Sequence, residues 1–258
     1  MWKKAGILDL NQFSMKNLFF LYMALFLHGA LPAQKTYILC GQLIDGIADA
    51  PAQNMTIIVE KNRILSVEKG FSKAGPADQV IDLKTRTVTP GWMDMHVHME
   101  HETNPNLYLQ RFTQNPADYA YQSVRFAEVT LMGGFTTVRD LGGTGVNISL
   151  RNAISQGLIK GPRVYTAGKS IATTGGHADP TNSYRKDLAG DPGPKEGVVN
   201  GADECRQAVR QRYKDGSDLI KITATGGVLS VAKSASNPQF TEEEIKAIVE
   251  TAVDYGFR

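Results

Sequence analysis

The segment Thr89-Pro90-Gly91-Trp92-Met93-Asp94-Met95-His96-Val97-His98-Met99 constrains this chain more than any other. Read as a strand, it alternates faces with a period of two. Asp94, His96 and His98 then share one face, while Met93, Met95, Val97 and Met99 share the other. Imidazoles at i and i+2 stand roughly 6.5–7 Å apart at their Cα atoms, within reach of one metal ion beyond the strand's end. The four apolar side chains are expected to pack outward against helices. Such a strand suits the first position of a (β/α)₈ barrel, whose chemistry sits at the C-terminal ends of its strands. The plainer alternative is a strand with two incidental histidines; the preceding Pro-Gly and Asp94 on the same face count against it.

Before this segment the pattern is one of short strands and turns. Residues 37–44, 55–60 and 64–68 read as strands, the last two joined by the turn Lys61-Asn62-Arg63, and 80–83 is parted from 86–88 by a tight turn. Together they predict a β-meander over 34–88, part of a sandwich with too few strands to bury two faces. After it, helix and strand alternate. Pro116 to Met132 predicts a helix with proline in its first turn and Gly133-Gly134 at its end. Strands are expected at 135–140, 163–168 and 218–223, and helices at 148–156 and 203–214, with a long Gly- and Pro-rich excursion over 173–201. Thr241 and Glu244 form a capping box, followed by an apolar stripe of Ile245, Ile248, Val249, Ala252 and Val253 that ends at Gly256. Four such repeats over 89–258 give a parallel α/β arrangement. A complete eight-fold barrel takes about 250 residues by itself, so the chain reads as barrel strands one to four with their helices.

Lys221 is the second anchor. If Ile220 and Ile222 face outer helices, Lys221 points into the barrel, where an unpaired ammonium is expensive. Desolvation lowers its pKa, and a neutral amine can take up CO₂ to form a carbamate with two metal-bridging oxygens. A lysine that snorkels outward or pairs with a carboxylate is the competing reading. Asp94 is a candidate to orient His96, because ligand imidazoles need an acceptor for their other N–H, or else it hydrogen-bonds the Pro90-Gly91 turn. His177 follows the third strand, at the mouth of the barrel, where a solvated loop histidine is the alternative. Arg139-Asp140 reads equally as an internal ion pair. His28 and His101 have no ligand spacing.

Over 258 residues, 42% are hydrophobic and 21% charged, ordinary globular values. A net charge of +2 gives no footprint for nucleic acid. Cys40 and Cys205 read as two separate buried thiols. Met15-Lys16-Asn17, the apolar run Leu18 to Leu27 and the small-residue exit to Ala33 have the three parts of a secretory signal peptide, starting at Met1 or Met15. The apolar run is shorter than the roughly 20 residues of a membrane span. Cleavage after Ala33 is expected, with Ala30 as the alternative, leaving a periplasmic or secreted protein without a membrane anchor.

On Pro90-Gly91-(x)₂-Asp94-x-His96-x-His98, the chain from about Tyr37 onward resembles the amidohydrolase superfamily. Within it, it is most similar to the imidazolonepropionase-related and Xaa-Pro-dipeptidase-like members. The resemblance implies a distorted (β/α)₈ barrel with a small flanking β-sandwich, and hydrolysis of amide or peptide C–N bonds in dipeptides or N-acyl amino acids. It implies one or two divalent ions, Zn²⁺ foremost, held by His96, His98 and carboxylated Lys221. Two histidines and an aspartate from later strands, absent from this sequence, would complete the set. It also implies that the Gly-Gly-His177 loop faces substrate, with His177 holding the scissile carbonyl, and that Thr225 to Ser230 approaches the ligand or simply makes a turn. Homo-oligomerisation of a full-length form is compatible with these features. The rival readings are a mononuclear imidazolone- or deaminase-type hydrolase, and a catalytically incomplete fragment or binding module.

Overall fold

The computed structural model describes residues 34–228, 230 and 232–257; the segment expected from its sequence to be a signal peptide lies outside them. No helix among the described residues is long and apolar enough to cross a membrane. The chain divides into two compact units, one ending at Pro90 and the other beginning at Gly91.

The first unit is a four-stranded sheet of β1 (Lys35–Leu43), β2 (Ala52–Glu60), β3 (Arg63–Lys69) and β4 (Gln79–Val88). Its spatial order is β3-β2-β1-β4, with β4 parallel to β1. A meander would have put β4 beside β3. The connection crosses over instead because both its ends are fastened elsewhere. Thr56 Oγ1 donates to Gly70 O (2.7 Å) and accepts from Ser72 N (3.0 Å), while the Asp78 carboxylate accepts from Lys35 N (3.0 Å) at the start of β1. Cys40, Leu43 and Ile57 form the buried cluster, and Cys40, like Cys205 in the second unit, is a free thiol.

The tight turn expected after Leu83 is a bulge within β4. Cys40 pairs with Leu83 and Gln42 with Thr87, so Gly41 alone faces Lys84, Thr85 and Arg86. A Cβ on Gly41 would overlap the Lys84 carbonyl. Gly41→Ala should therefore destabilise this sheet by about 1–3 kcal/mol, the usual cost of overpacking. Denaturant unfolding measures it, and an unchanged midpoint would contradict the bulge.

In the second unit, β5 (Trp92–Val97), β6 (Phe135–Asp140) and β7 (Arg163–Thr166) pair in parallel in chain order. The crossovers carry α1 (Leu107–Thr113) and α2 (Pro116–Met132), then α3 (Val146–Ser155). This is the opening of a (β/α)₈ barrel. Asn115 and Asp118 cap α2 reciprocally, with Pro116 in the first turn. Met99, Ala127, Val138, Leu150 and Val164 form the core between strands and helices, with Val97 against it.

Met93 and Met95, in contrast, are 67% and 48% exposed. β5 is an edge strand, paired among the described residues with β6 alone, and beyond Asp94 its register slips: Asp94 pairs with Val138 and Val97 with Asp140, so Met95 and His96 together face Arg139. One extra residue in β5 interrupts the alternation that the sequence pattern assumed.

After β7 come β8 (Ala172–Thr173), α4 (Lys186–Ala189) and β9 (Val198–Val199), then α5 (Gly201–Asp215) and α6 (Glu242–Asp254). Parallel pairing of β8 with β9 closes the stem of the excursion. The buried Arg212 guanidinium supports it, donating to Lys195 O (2.6 Å) and Lys169 O (3.3 Å).

The expected strand at 218–223 is reduced to an isolated parallel bridge between Ile171 and Ile222. Asp218 N still donates to Thr166 O (2.8 Å), Ile171 N to Lys221 O (2.8 Å) and Thr223 N to Ile171 O (3.0 Å). The segment thus lies alongside the third strand's path. Gly168, at φ 65°, breaks that path between Thr166 and Ile171, so no continuous ladder forms.

α5 and α6 pack on Ile171, Val199 and Phe240 through Cys205, Ala208, Val209, Ala247 and Ile248. The α6 stripe is narrower than its pattern suggests: Ile245, Ile248 and Ala252 join this cluster, while Val249 and Val253 are exposed. The capping box is present, with Thr241 Oγ1 accepting from Glu244 N (3.2 Å) and Glu244 from Thr241 N (2.8 Å). Glu244 also accepts from Gly201 N (2.7 Å), the first residue of α5.

Candidate metal centre

The slip in β5 leaves a backbone N–H and C=O without ladder partners, and two charged side chains take them. Asp94 Oδ1 accepts from His96 N (2.9 Å), and Arg139 Nε donates to Met95 O (2.8 Å). Asp94 therefore fixes the backbone of His96 rather than its ring. The bulge so held brings the rings of His96 and His98 to 5.5 Å between centroids.

His98 Nδ1 lies 2.7 Å from Gly142 O. A carbonyl oxygen can only accept, so Nδ1 carries the proton and Nε2 keeps its lone pair for a metal or a donor. Partial burial lowers the pKa of His96, helped by the positive charges of Lys221, His98 and Arg139. Burial, with Arg139 adding to it, also lowers that of Lys221. Both shifts favour the neutral forms that metal ligation or CO₂ addition requires.

His101, which has no ligand spacing in the sequence, stacks on His98 at 6.0 Å. Burial and the neighbouring His98 lower its pKa as well. Beside it opens a cavity of about 330 Å³ lined by His101, Gln110, Gln122, Arg125 and Phe126. Among the described residues no three His, Cys, Asp or Glu side chains converge on a common metal position. The donor set present is the His96–His98 pair with Lys221 in its electrostatic neighbourhood.

Arg139 and Asp140 form no ion pair with each other: Arg139 reaches Met95 O, while Asp140 is fully buried and accepts from Met99 N, Gly142 N and Asn147 Nδ2. Its desolvation raises its pKa despite those bonds. Glu100, also buried, accepts from Thr144 N (2.7 Å) and Asn147 N (2.8 Å) at the start of α3. Neither carboxylate was singled out as a site residue from sequence. The available signal was their placement, two residues after His98 and at the end of β6.

His177 is held by the later loop instead. Its backbone N–H donates to Gln239 Oε1 (2.9 Å), its ring packs on Gly227, and its buried Nδ1 has no partner among the described residues. Gly227, at φ 67°, has no room for a side chain there, so the Thr225-Gly226-Gly227 glycines serve both a turn and a close approach.

The imidazole shifts set a pH dependence for the metal-free protein. His96 and His101 take up protons less readily folded than unfolded. Stability is therefore intact above the unfolded histidine value of about 6.5 and is lost as pH falls through it towards the folded values. Asp140, with a raised pKa, acts in the opposite sense, losing its contribution as pH rises through its folded value. Thermal melts between about pH 7.5 and 5 should show a falling midpoint, and His101→Gln should flatten that fall. An identical slope in the variant would refute the assignment to His101.

Residues 87–258 match the amidohydrolase family. Ochratoxinase from Aspergillus niger is 30% identical over 234 residues, 85% of this chain and 48% of that protein. A Xaa-Pro dipeptidase structure with methionine bound in its active site superposes with a TM-score of 0.80 at 50% identity, covering 87% of this chain and 55% of that one. A prolidase complexed with N-methylphosphonate-L-proline gives 0.74 at 33% identity, covering 86% and 54%. The chain thus spans about half the length of the relatives it matches. With parallel strands whose C-terminal ends gather paired histidines, and a family match over most of its length, this chain belongs to the amidohydrolase family.

Proposed function

We propose that the protein carrying this chain is a metal-dependent hydrolase of amide or peptide C–N bonds, acting on dipeptides or N-acyl amino acids. One observation carries the reading: His96 and His98 stand 5.5 Å apart with His98 Nδ1 committed to Gly142 O, which leaves Nε2 free as a donor. The amino-acid-like ligands of the dipeptidase and prolidase structures support the substrate class.

The residues present fit a divalent ion as part of its donor set. His96 and His98 would hold Zn²⁺, with Lys221, as its CO₂ adduct, as a further ligand. Bound there, such an ion supplies Lewis acidity that polarises the scissile carbonyl. The chain's own residues do the rest. Asp94 and Arg139 hold the bulge that aims His96, and Gly142 orients His98. His177, whose Nδ1 is buried against Gly227, is the proposed hydrogen-bonding partner of the substrate carbonyl through its other ring nitrogen, Nε2.

The purified full-length protein that carries this chain should hold zinc and cleave some members of a panel of dipeptides and N-acyl amino acids, whereas the 34–258 segment alone should do neither. His96→Asn should cost more than about 100-fold in zinc affinity, beyond the 10–100-fold typical of changes outside the ligand set. Lys221→Ala should abolish turnover, with partial rescue by short carboxylic acids. Full turnover by that variant would point instead to a mononuclear deaminase- or imidazolone-type site.

The N-terminal signal pattern adds export to this proposal. Expressed in a bacterium from its own start, the product should be found outside the cytoplasm with Gln34 at its N-terminus. A cytoplasmic product beginning at Met1 or Met15 would refute it.

A further inference from the structure

Asp140 and Glu100 are buried carboxylates, 0% and 1% exposed, and among the described residues neither pairs with a lysine or arginine. Burying carboxyl groups is costly unless hydrogen bonds replace the water, so the destination of those bonds is informative. Asp140 Oδ2 accepts from Met99 N (3.0 Å), the amide directly after His98. Its Oδ1 accepts from Gly142 N (3.1 Å), in the residue whose carbonyl receives His98 Nδ1. One carboxylate thus spans the main chain of His98 and the group that holds the His98 ring.

The remaining contacts hold that carboxylate and its loop in place. Asn147 Nδ2 donates to Asp140 Oδ1 (3.0 Å) and Gly168 O (3.2 Å), while its own buried Oδ1 has no partner among the described residues. The amide is therefore turned to serve as a donor. Glu100 ties Thr144 N and Asn147 N, and Gly143 N donates to Gly168 O (3.0 Å). No side chain fits at Gly142, where a Cβ would overlap Ser170 Oγ, or at Gly143, where it would overlap the Glu100 carboxylate. The path of Leu141 to Thr144 is fixed on both sides.

We propose that Asp140, backed by Asn147 and Glu100, is a positioning residue that holds His98 in its Nδ1–H tautomer and presents Nε2 to the metal site. The inference rests on the metal-binding reading of that site, but it concerns a proton position that exists without metal.

The test follows the His98 ring nitrogens by two-bond ¹H–¹⁵N correlation in the metal-free full chain, assigned by difference from His98→Gln, together with zinc titration. Wild type should show the proton on Nδ1. Asp140→Asn, which replaces an acceptor oxygen with an NH₂ donor facing N–H groups, should show a tautomer mixture and bind zinc about 10–100-fold more weakly. Glu100→Gln should have the same effects, more weakly. The tautomer decides: Nε2–H in wild type, or unchanged Nδ1–H in a folded Asp140→Asn protein, overturns the proposal. Should Asp140→Asn not fold, Asn147→Ser is judged by the same two criteria. Wild type that binds no zinc yet shows the expected tautomers would sink the metal reading and leave the proton assignment standing.

Discussion

The geometry at the candidate site follows from the second of two irregularities in a parallel strand pair, the slip that sets Met95 and His96 together against Arg139. A regular β5 would have sent its two histidines along the face that alternation dictates and left no backbone groups to satisfy. The bulge instead exposes an N–H and a C=O, which recruit Asp94 and Arg139. Both side chains are thereby committed to geometry. A bulge at the end of a barrel strand is a device for re-aiming side chains, and here the ones re-aimed are the ligand candidates.

That commitment also shapes the electrostatics. The charged groups acting on His96 are Lys221, His98 and Arg139, which lower its pKa, and Asp94, whose carboxylate opposes them while it holds the His96 N–H. Lys221 and Arg139 outnumber that one carboxylate, a balance that does not favour a dication. Addition of CO₂ to Lys221 would exchange a positive charge for a negative one, a swing of two charges at one position. It would also give Arg139 an anion to face. Lysine at that position is thus suited to a site whose charge is set by loading, in a way that a permanently charged arginine would not be.

Much of this was readable in the residues. The helix opened by Pro116, the capping box of Thr241 and the strands at Trp92 and Phe135 rest on short-range chemistry, and they stand in the structure together with the parallel order. What was not readable depended on partners distant in sequence. The exposure of Met93 and Met95 goes with the edge position of β5 in its sheet, and the weak pairing of 218–223 goes with the left-handed Gly168 on its neighbour. The return of β4 beside β1 depends on Asp78 finding Lys35. His101 carries no motif spacing, because its tie to His98 is made by a loop rather than a strand. Asp140 and Glu100 look like ordinary polar residues until their burial is known.

The carboxylate of Glu244 closes its own capping box and also takes the first N–H of the preceding helix. Two helix starts therefore depend on a single side chain, and the helices share one apolar cluster besides. Neither can fray from its N-terminus without disturbing the other's cap. In hydrogen exchange the pair would behave as one opening unit, its amides released together, rather than as two helices unravelling at independent rates.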